Sequence, residues 1–160
     1  MAKENKKSKE GFTIIEVVLV LAIAGLIFLM VFVALPALRR SQRDTQRRQD
    51  YADFSAAIAS YMTNNNGKLP SAGATLTPET YVNSTGEDPE GREYSIIVRD
   101  ISEMGTDTVT VPGEGEIYLY TNADCSGEGD SGAIPSEVTR SKSYAVYGYL
   151  ETGSYCQSSN

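Results

Sequence analysis

The chain has 160 residues, with no histidine, no tryptophan and a formal net charge of −7. That length admits one compact domain plus a separate segment and excludes two full domains. The acidic balance excludes attraction to nucleic acid by overall field, and the missing histidine removes the usual base or ligand of most nucleophilic and zinc chemistry.

Charge is laid out in blocks. Residues 1–11 carry Lys3, Lys6, Lys7 and Lys9 against Glu4 and Glu10, a net of +2. Residues 17–35 follow without one charged or polar side chain, and Gly25 is the only glycine among them. At a helical rise of ~1.5 Å per residue this run spans ~29 Å, close to the thickness of bilayer hydrocarbon. It outlasts the h-region of a secretory signal, about 7–15 residues, and no small-x-small cleavage site follows it. A single-pass membrane anchor accounts for the hydropathy. Glu16 lies just inside the start of this helix, where a carboxylate costs less than the roughly 2.5–3.5 kcal/mol of a helix centre. Hydration at the membrane interface is one reading of it.

Gly11-Phe12-Thr13-Ile14-Ile15-Glu16 at the head of such a run resembles the type IV pilin family. The resemblance implies that residues 1–11 are a prepilin leader, cut between Gly11 and Phe12, and that the new amine of Phe12 is N-methylated. It further implies that Glu16 pairs, in a dry filament core, with the residue-12 amine of a neighbouring subunit. The physics suits that role, because the cut creates a positive terminus and a partner carboxylate offsets its burial. The implied partners are other copies of the chain, a prepilin peptidase and methylase, an ATP-driven assembly platform, and membrane lipids before assembly. The implied location is the cytoplasmic membrane as a single-pass prepilin, then a surface filament serving adhesion, twitching motility or DNA uptake. Hydropathy does not separate this helix from an ordinary anchor. Two rivals therefore stand: a pseudopilin of a type II secretion system, and a stand-alone membrane-anchored adhesin or receptor. The leader lysines point inward by the positive-inside rule while Arg39, Arg40, Arg43, Arg47 and Arg48 lie beyond the span. Charge counting leaves topology open, and the peptidase site, cytoplasmic in the family, decides it. Glu10 beside the cut and the arginine-rich collar depart from the family pattern.

Residues 12–38 are read as the transmembrane and polymerisation helix, with Gly25 and Pro36 as its points of flexibility because Pro36 forfeits a backbone hydrogen bond. Local melting between them in a filament is an expectation. Residues 39–66 are its amphipathic continuation. Asp44 is spaced to pair with Arg40, Arg47 or Arg48, and the arginines are placed to reach lipid headgroups and then neighbouring subunits. Tyr51, Phe54, Ile58, Tyr61 and Met62 recur at helical steps, a face seeking a sheet, and Asn64-Asn65-Asn66-Gly67 before Pro70 is a stop signal. Residues 67–92 read as a helix-to-sheet loop, in which Asn83-Ser84-Thr85 matches the N-glycosylation pattern.

Residues 93–160 read as an antiparallel sheet head with a C-terminal region closed by a disulfide. Strands are expected at 93–100, 106–111, 116–121 and 143–150 from their β-branched and aromatic residues, with most of the ten tyrosines carrying wet hydroxyls. Gly113 and Gly115 mark a turn and lack the helix and lysine of a nucleotide loop. Cys125 and Cys156, an even pair in a region exposed outside the cytoplasm, are expected to bridge, closing about 31 residues and adding on the order of 3–4 kcal/mol. Asn122, Asp124, Ser126 and Asp130 form a weak calcium candidate that lacks the closing bidentate glutamate, since Ala133 stands there. No catalytic constellation and no cofactor motif are visible, and enzymatic activity is not expected. The reading is an α+β fold: a long N-terminal α-helix, half membrane or filament core and half amphipathic, packed on a small antiparallel β-sheet.

Overall fold

A computed structural model describes residues 11–74, 76–104, 109–127, 129–130, 133–139 and 142–159. The chain divides into two compact units, Met1–Arg39 and Arg40–Asn160. One helix, α1 (Ile14–Asn64), begins in the first and ends in the second. It is helical through both Gly25 and Pro36.

In the first unit α1 is apolar on every face. Phe12 is 90% exposed, and Ile14, Val18, Leu21, Leu26, Met30 and Val33, which point in different directions around the axis, are all exposed as well. This is the one helix among the described residues long and apolar enough to cross a membrane. A helix apolar on all sides is stable only inside lipid or a bundle of other helices.

In the second unit α1 lies on a five-stranded sheet. The strands are β1 (Ser95–Asp100), β2 (Glu116–Thr121), β3 (Ala123–Cys125), β4 (Gly129–Asp130), β5 (Pro135–Glu137), β6 (Tyr144–Leu150) and β7 (Gly153–Ser158). The main sheet runs β1-β2-β6-β7-β4, and β3 and β5 form a separate two-stranded flap. Tyr51, Phe54 and Ile58 of α1 enter a core with Val98, Ile117, Leu119, Tyr144, Val146 and Leu150 from alternate positions of the strands. Tyr61 and Met62, one turn on, are only half buried. The other sheet face carries Tyr118, Tyr120, Ala145 and Tyr147, covered by Ile101 and by Ala123 and Ala133. Both faces of β2 and β6 are therefore dry. Helix α1 closes where the asparagine run reaches left-handed backbone, with φ of 56° at Asn66 and 73° at Gly67, and the Gly67 amide donates to the Met62 carbonyl at 2.7 Å.

Five expectations need correction. The sheet is not wholly antiparallel: β1 and β2 run parallel, from Ser95 opposite Glu116 to Asp100 opposite Thr121. A 3-10 turn (Ile101–Met104) follows β1, and β2 starts beside the start of β1. The strand expected at 106–111 lies partly outside the described residues, and Val109–Val111 are not strand. The hairpin partner of β6 is β7, whose Ser, Gln and Gly content hid it. Helix α2 (Pro78–Tyr81) interrupts the expected loop. The tyrosines are mostly dry: Tyr51, Tyr94, Tyr118, Tyr120, Tyr144 and Tyr147 are buried, and the Tyr144 hydroxyl donates to the Ser55 carbonyl at 2.9 Å.

Tyr51 sets the spacing between helix and sheet. Its ring stacks on Tyr155 with centroids 5.6 Å apart, and its hydroxyl donates to the Tyr149 carbonyl at 2.8 Å. The ring rests on Gly148, in the middle of β6, where an added Cβ would lie 2.3 Å from Tyr51 Cζ. Glycine weakens a strand by itself, and its presence here is explained by this close approach. Gly148→Ala is expected to lower the stability of the protein by about 1–3 kcal/mol through overpacking. A thermal or denaturant melt unchanged by this substitution would contradict the packing described.

Candidate functional site

The two units carry different candidate sites. In the first, the chain enters α1 through a reciprocal cap. Thr13 N and Thr13 Oγ1 both donate to Glu16 Oε2, at 3.1 and 2.9 Å, and the Glu16 amide donates to Thr13 Oγ1 at 3.4 Å. This is the capping box, in which a Thr before the helix and a Glu three residues on satisfy each other's backbone donors. Its signature, Thr-x-x-Glu before an apolar run, stands in the sequence, where Glu16 also reads as a charge at the membrane edge. Gly11 and Phe12 precede the cap in exposed, non-helical backbone. The helix begins only beyond Thr13.

In the second unit Arg43 and Arg47 of the arginine collar turn inward to carboxylates, contrary to the expectation that they face lipid headgroups and neighbours, while Arg40 stays exposed. Arg40, Arg43 and Arg47 recur on one face of α1. Arg47 is 1% exposed and stands among Asp44 Oδ1 and Glu151 Oε1, each 3.4 Å from its Nη1, and Glu90 Oε2 and Asp88 Oδ2, 3.5 and 3.7 Å from its Nη2. Its guanidinium also lies over the Tyr149 ring, 5.4 Å from the centroid. Arg43 grips Glu151 with both Nε and Nη2. Arg92 pairs with Asp88, Glu90 and Glu114. Arg40 remains 67% exposed, its Nε 3.8 Å from Glu151. The helical register foresaw the Asp44–Arg47 pair. The carboxylates that complete the cage come from loops far along the chain, and no local pattern announces them.

Asp44 does more than pair. Its carboxylate accepts the amides of Glu151 and Thr152, at 2.8 and 3.2 Å, and the Thr152 hydroxyl at 2.8 Å, so α1 holds the β6–β7 turn directly. Burial pushes the Asp44 carboxyl up, but these donors and the Arg47 charge bring it below its ordinary value. Asp88 is likewise pushed up by burial and brought lower by the amides of Arg92 and Glu90 and the Arg92 guanidinium. Arg43 draws Glu151 down. Asp50 goes the other way: burial raises it, although Asn83 Nδ2 and the Tyr94 hydroxyl donate to it at 3.1 and 2.8 Å.

The remaining sequence candidates are placed as follows. Cys125 of β3 and Cys156 of β7 form a disulfide, which ties the flap to the sheet. Asn122 Nδ2 donates to Asp100 Oδ2, Asp124 Oδ1 accepts the Cys125 amide, and Ser126 Oγ accepts the Ile134 amide, so the three face different partners. The Asp130 side chain lies outside the described residues, among which no group of three acidic or cysteine side chains is arranged to hold a metal. The Asn83 amide nitrogen donates to both Asp50 and the Glu87 carbonyl, so glycan transfer to the folded chain would break both bonds.

Residues 6–32 match the family model of the prokaryotic N-terminal methylation motif, the leader segment of type IV pilins and pseudopilins. Comparison with curated proteins and with solved structures finds no match. Motif and fold together define a class: a pilin- or pseudopilin-like protein, with a long N-terminal helix packed on a small, mostly antiparallel sheet. Proteins that carry the motif are structural subunits rather than catalysts, and the apolar helix fits a membrane-anchored chain.

The cage makes the second unit sensitive to acid. Asp44, Asp88 and Glu151 have lowered folded values, so their contribution is complete above the unfolded carboxylate range of about 3.9–4.3 and is lost as pH falls through the lower folded values. Asp50 has the opposite sign and offsets part of this, since its raised value favours the fold in acid. Melting of the full chain in detergent is expected to drop steeply below about pH 4. Asp44→Asn should flatten that limb and lower stability at pH 7 by roughly 1–3 kcal/mol, as two amides lose a charged acceptor. A wild-type melting temperature unchanged between pH 7 and pH 3 would contradict the cage.

Proposed function

We propose that this chain is the structural subunit of a type IV pilus, polymerising through residues 12–38 into a surface filament. One observation carries the reading: a helix apolar on every face, headed by Gly-Phe-Thr-Ile-Ile-Glu, whose first part falls in the methylation motif at residues 6–32. Such a surface calls for neighbours on all sides, and lipid supplies them before assembly and other copies afterwards. A prepilin peptidase cuts after Gly11 and a methylase modifies the Phe12 amine. In the filament Glu16 turns from its own Thr13 to the residue-12 amine of a neighbouring copy, pairing two charges that would each be costly alone. An assembly platform and its ATPase draw the subunit from the cytoplasmic membrane, and the acidic head forms the outer surface. Local melting between Gly25 and Pro36 belongs to this step, since glycine and proline weaken the helix there. Adhesion, twitching motility or DNA uptake are the tasks open to such a filament.

Glu16→Ala is the test. Membrane insertion and cleavage after Gly11 should persist, while the amount of the chain in filaments sheared from the cell surface should fall roughly tenfold or more, because the terminal amine is left buried and unpaired. Undiminished incorporation would overturn the assembly role of Glu16, and a wild-type chain found in the membrane but in no filament would favour an anchored adhesin. Recovery of the wild-type chain only in short fibres that stay within the envelope would favour the secretion pseudopilin.

A further inference from the structure

The second unit is strongly acidic: beyond residue 50 the chain has sixteen acids and five basic residues. Filament packing would bring these heads together, and like charges repel. Among the described residues, four of the arginines that could offset this are engaged. Arg43, Arg47 and Arg92 are held in the ion-pair cage, and Arg99 lies over the Tyr118 ring at 4.6 Å. Among the described residues Lys68 and Lys142 are in no ion pair that the structure shows, and both line the same groove. The groove lies beside the C-terminal end of α1, walled by the 67–72 segment on one side and by Asp100, Thr121 and Asn122 on the other. Its volume of about 440 Å³ is open to the surface and large enough for a carboxylate side chain with its flanking backbone.

The backbone around the groove is held in an unusual form. The described residues include three non-glycine positions with positive φ: Asn66 at 56°, Asn122 at 58° and Lys142 at 74°. Asn122 and Lys142 line the groove, and Asn66 adjoins it through Gly67. Asparagine tolerates this region, but lysine does so rarely, and such strain persists where surrounding structure enforces it. Lys142 lies over Gly67 so closely that an added Cβ there would be 2.9 Å from Nζ. Asp100, the one acid in the wall, accepts from the Ser102 amide and hydroxyl and from Asn122.

We propose that this groove is a head-to-head contact of the assembled filament, in which Lys68 and Lys142 receive an exposed acidic side chain from a neighbouring copy. The inference rests on the filament reading above. Charge complementarity selects a second copy as occupant, because every copy presents exposed acids such as Glu79, Glu87, Glu93 and Glu137. A contact of this kind fixes register between heads and weakens with salt.

Zero-length carbodiimide cross-linking of filaments, assembled from mixed isotopically light and heavy copies, tests it. The expected product is an amide between Lys68 or Lys142 and a Glu or Asp, found as light–heavy pairs in filaments and absent from detergent-dispersed monomer. The Lys68→Glu/Lys142→Glu double variant should keep its membrane insertion, cleavage and melting temperature but lose roughly fivefold in filament yield. Lys68→Gln/Lys142→Gln, which removes charge without adding repulsion, should fall between them. Reversing the cross-linked acid to lysine should restore yield in the double-Glu variant. Linkage confined to light–light and heavy–heavy pairs, or full yield from the double-Glu variant, would overturn the proposal. So would saturable binding of inorganic phosphate by the monomer with shifts at Lys142, which would make the groove a small-anion site. Absence of wild-type filaments would overturn the filament reading itself, and this contact with it, before any lysine is changed.

Discussion

A helix that is apolar all round cannot be satisfied by its own chain. An amphipathic helix turns one stripe to a core and the opposite face to water, as α1 does from Tyr51 to Ile58. From Val17 to Leu38 the same helix has no polar stripe to give to water, and its large apolar side chains stand exposed in the unit to which they belong. Lipid or other helices must cover it, and the other features of the chain follow from having to live in both settings. The capping box at Thr13 and Glu16 settles the first backbone donors of the helix without outside help, which matters most where water is scarce. It also keeps a carboxylate beside the residue that becomes the chain terminus if the leader is removed.

The second unit answers a different problem, that of fastening a sheet to half a helix. Apolar packing of Tyr51, Phe54 and Ile58 supplies most of the attachment, since burial of large side chains dominates folding energetics. The ion-pair cage adds direction more than energy. A buried ion pair recovers little beyond the cost of stripping water from its charges, but removing one partner leaves the rest uncompensated. Arg47, with four carboxylates around it, and Asp44, bound to the β6–β7 turn, therefore fix where the head sits along α1. The disulfide between Cys125 and Cys156 does similar work on the far sheet face, holding the β3–β5 flap over Tyr120 and Tyr147.

Much of this was legible in the sequence because it is written in local period. The apolar run, the stripe at 51, 54 and 58, the asparagine stop and the alternation in 116–121 and 144–150 are patterns within one element, and the structure places them where the patterns do. What escaped depends on contacts between distant segments. The parallel pairing of β1 with β2 is set by a crossover whose path no local period encodes. Strand β7, rich in Ser and Gly, lacks the β-branched signal and is a strand because β6 and the disulfide hold it there. That Arg47 turns inward rather than to lipid headgroups is set by Asp88, Glu90 and Glu151, which lie 41 or more positions away from it in the chain. The capping box at Thr13 and Glu16 and the Thr77-Pro78 start of α2 are local signals as well.

The central claim is that the leader is removed and the bared helix is buried among copies of itself. It is tested most directly by the intact mass and N-terminal residue of the protein in filaments sheared from the cell surface. The account predicts a chain that begins at methylated Phe12 and is recovered in long filaments. A chain beginning at Met1 and found only in the membrane fraction would contradict it.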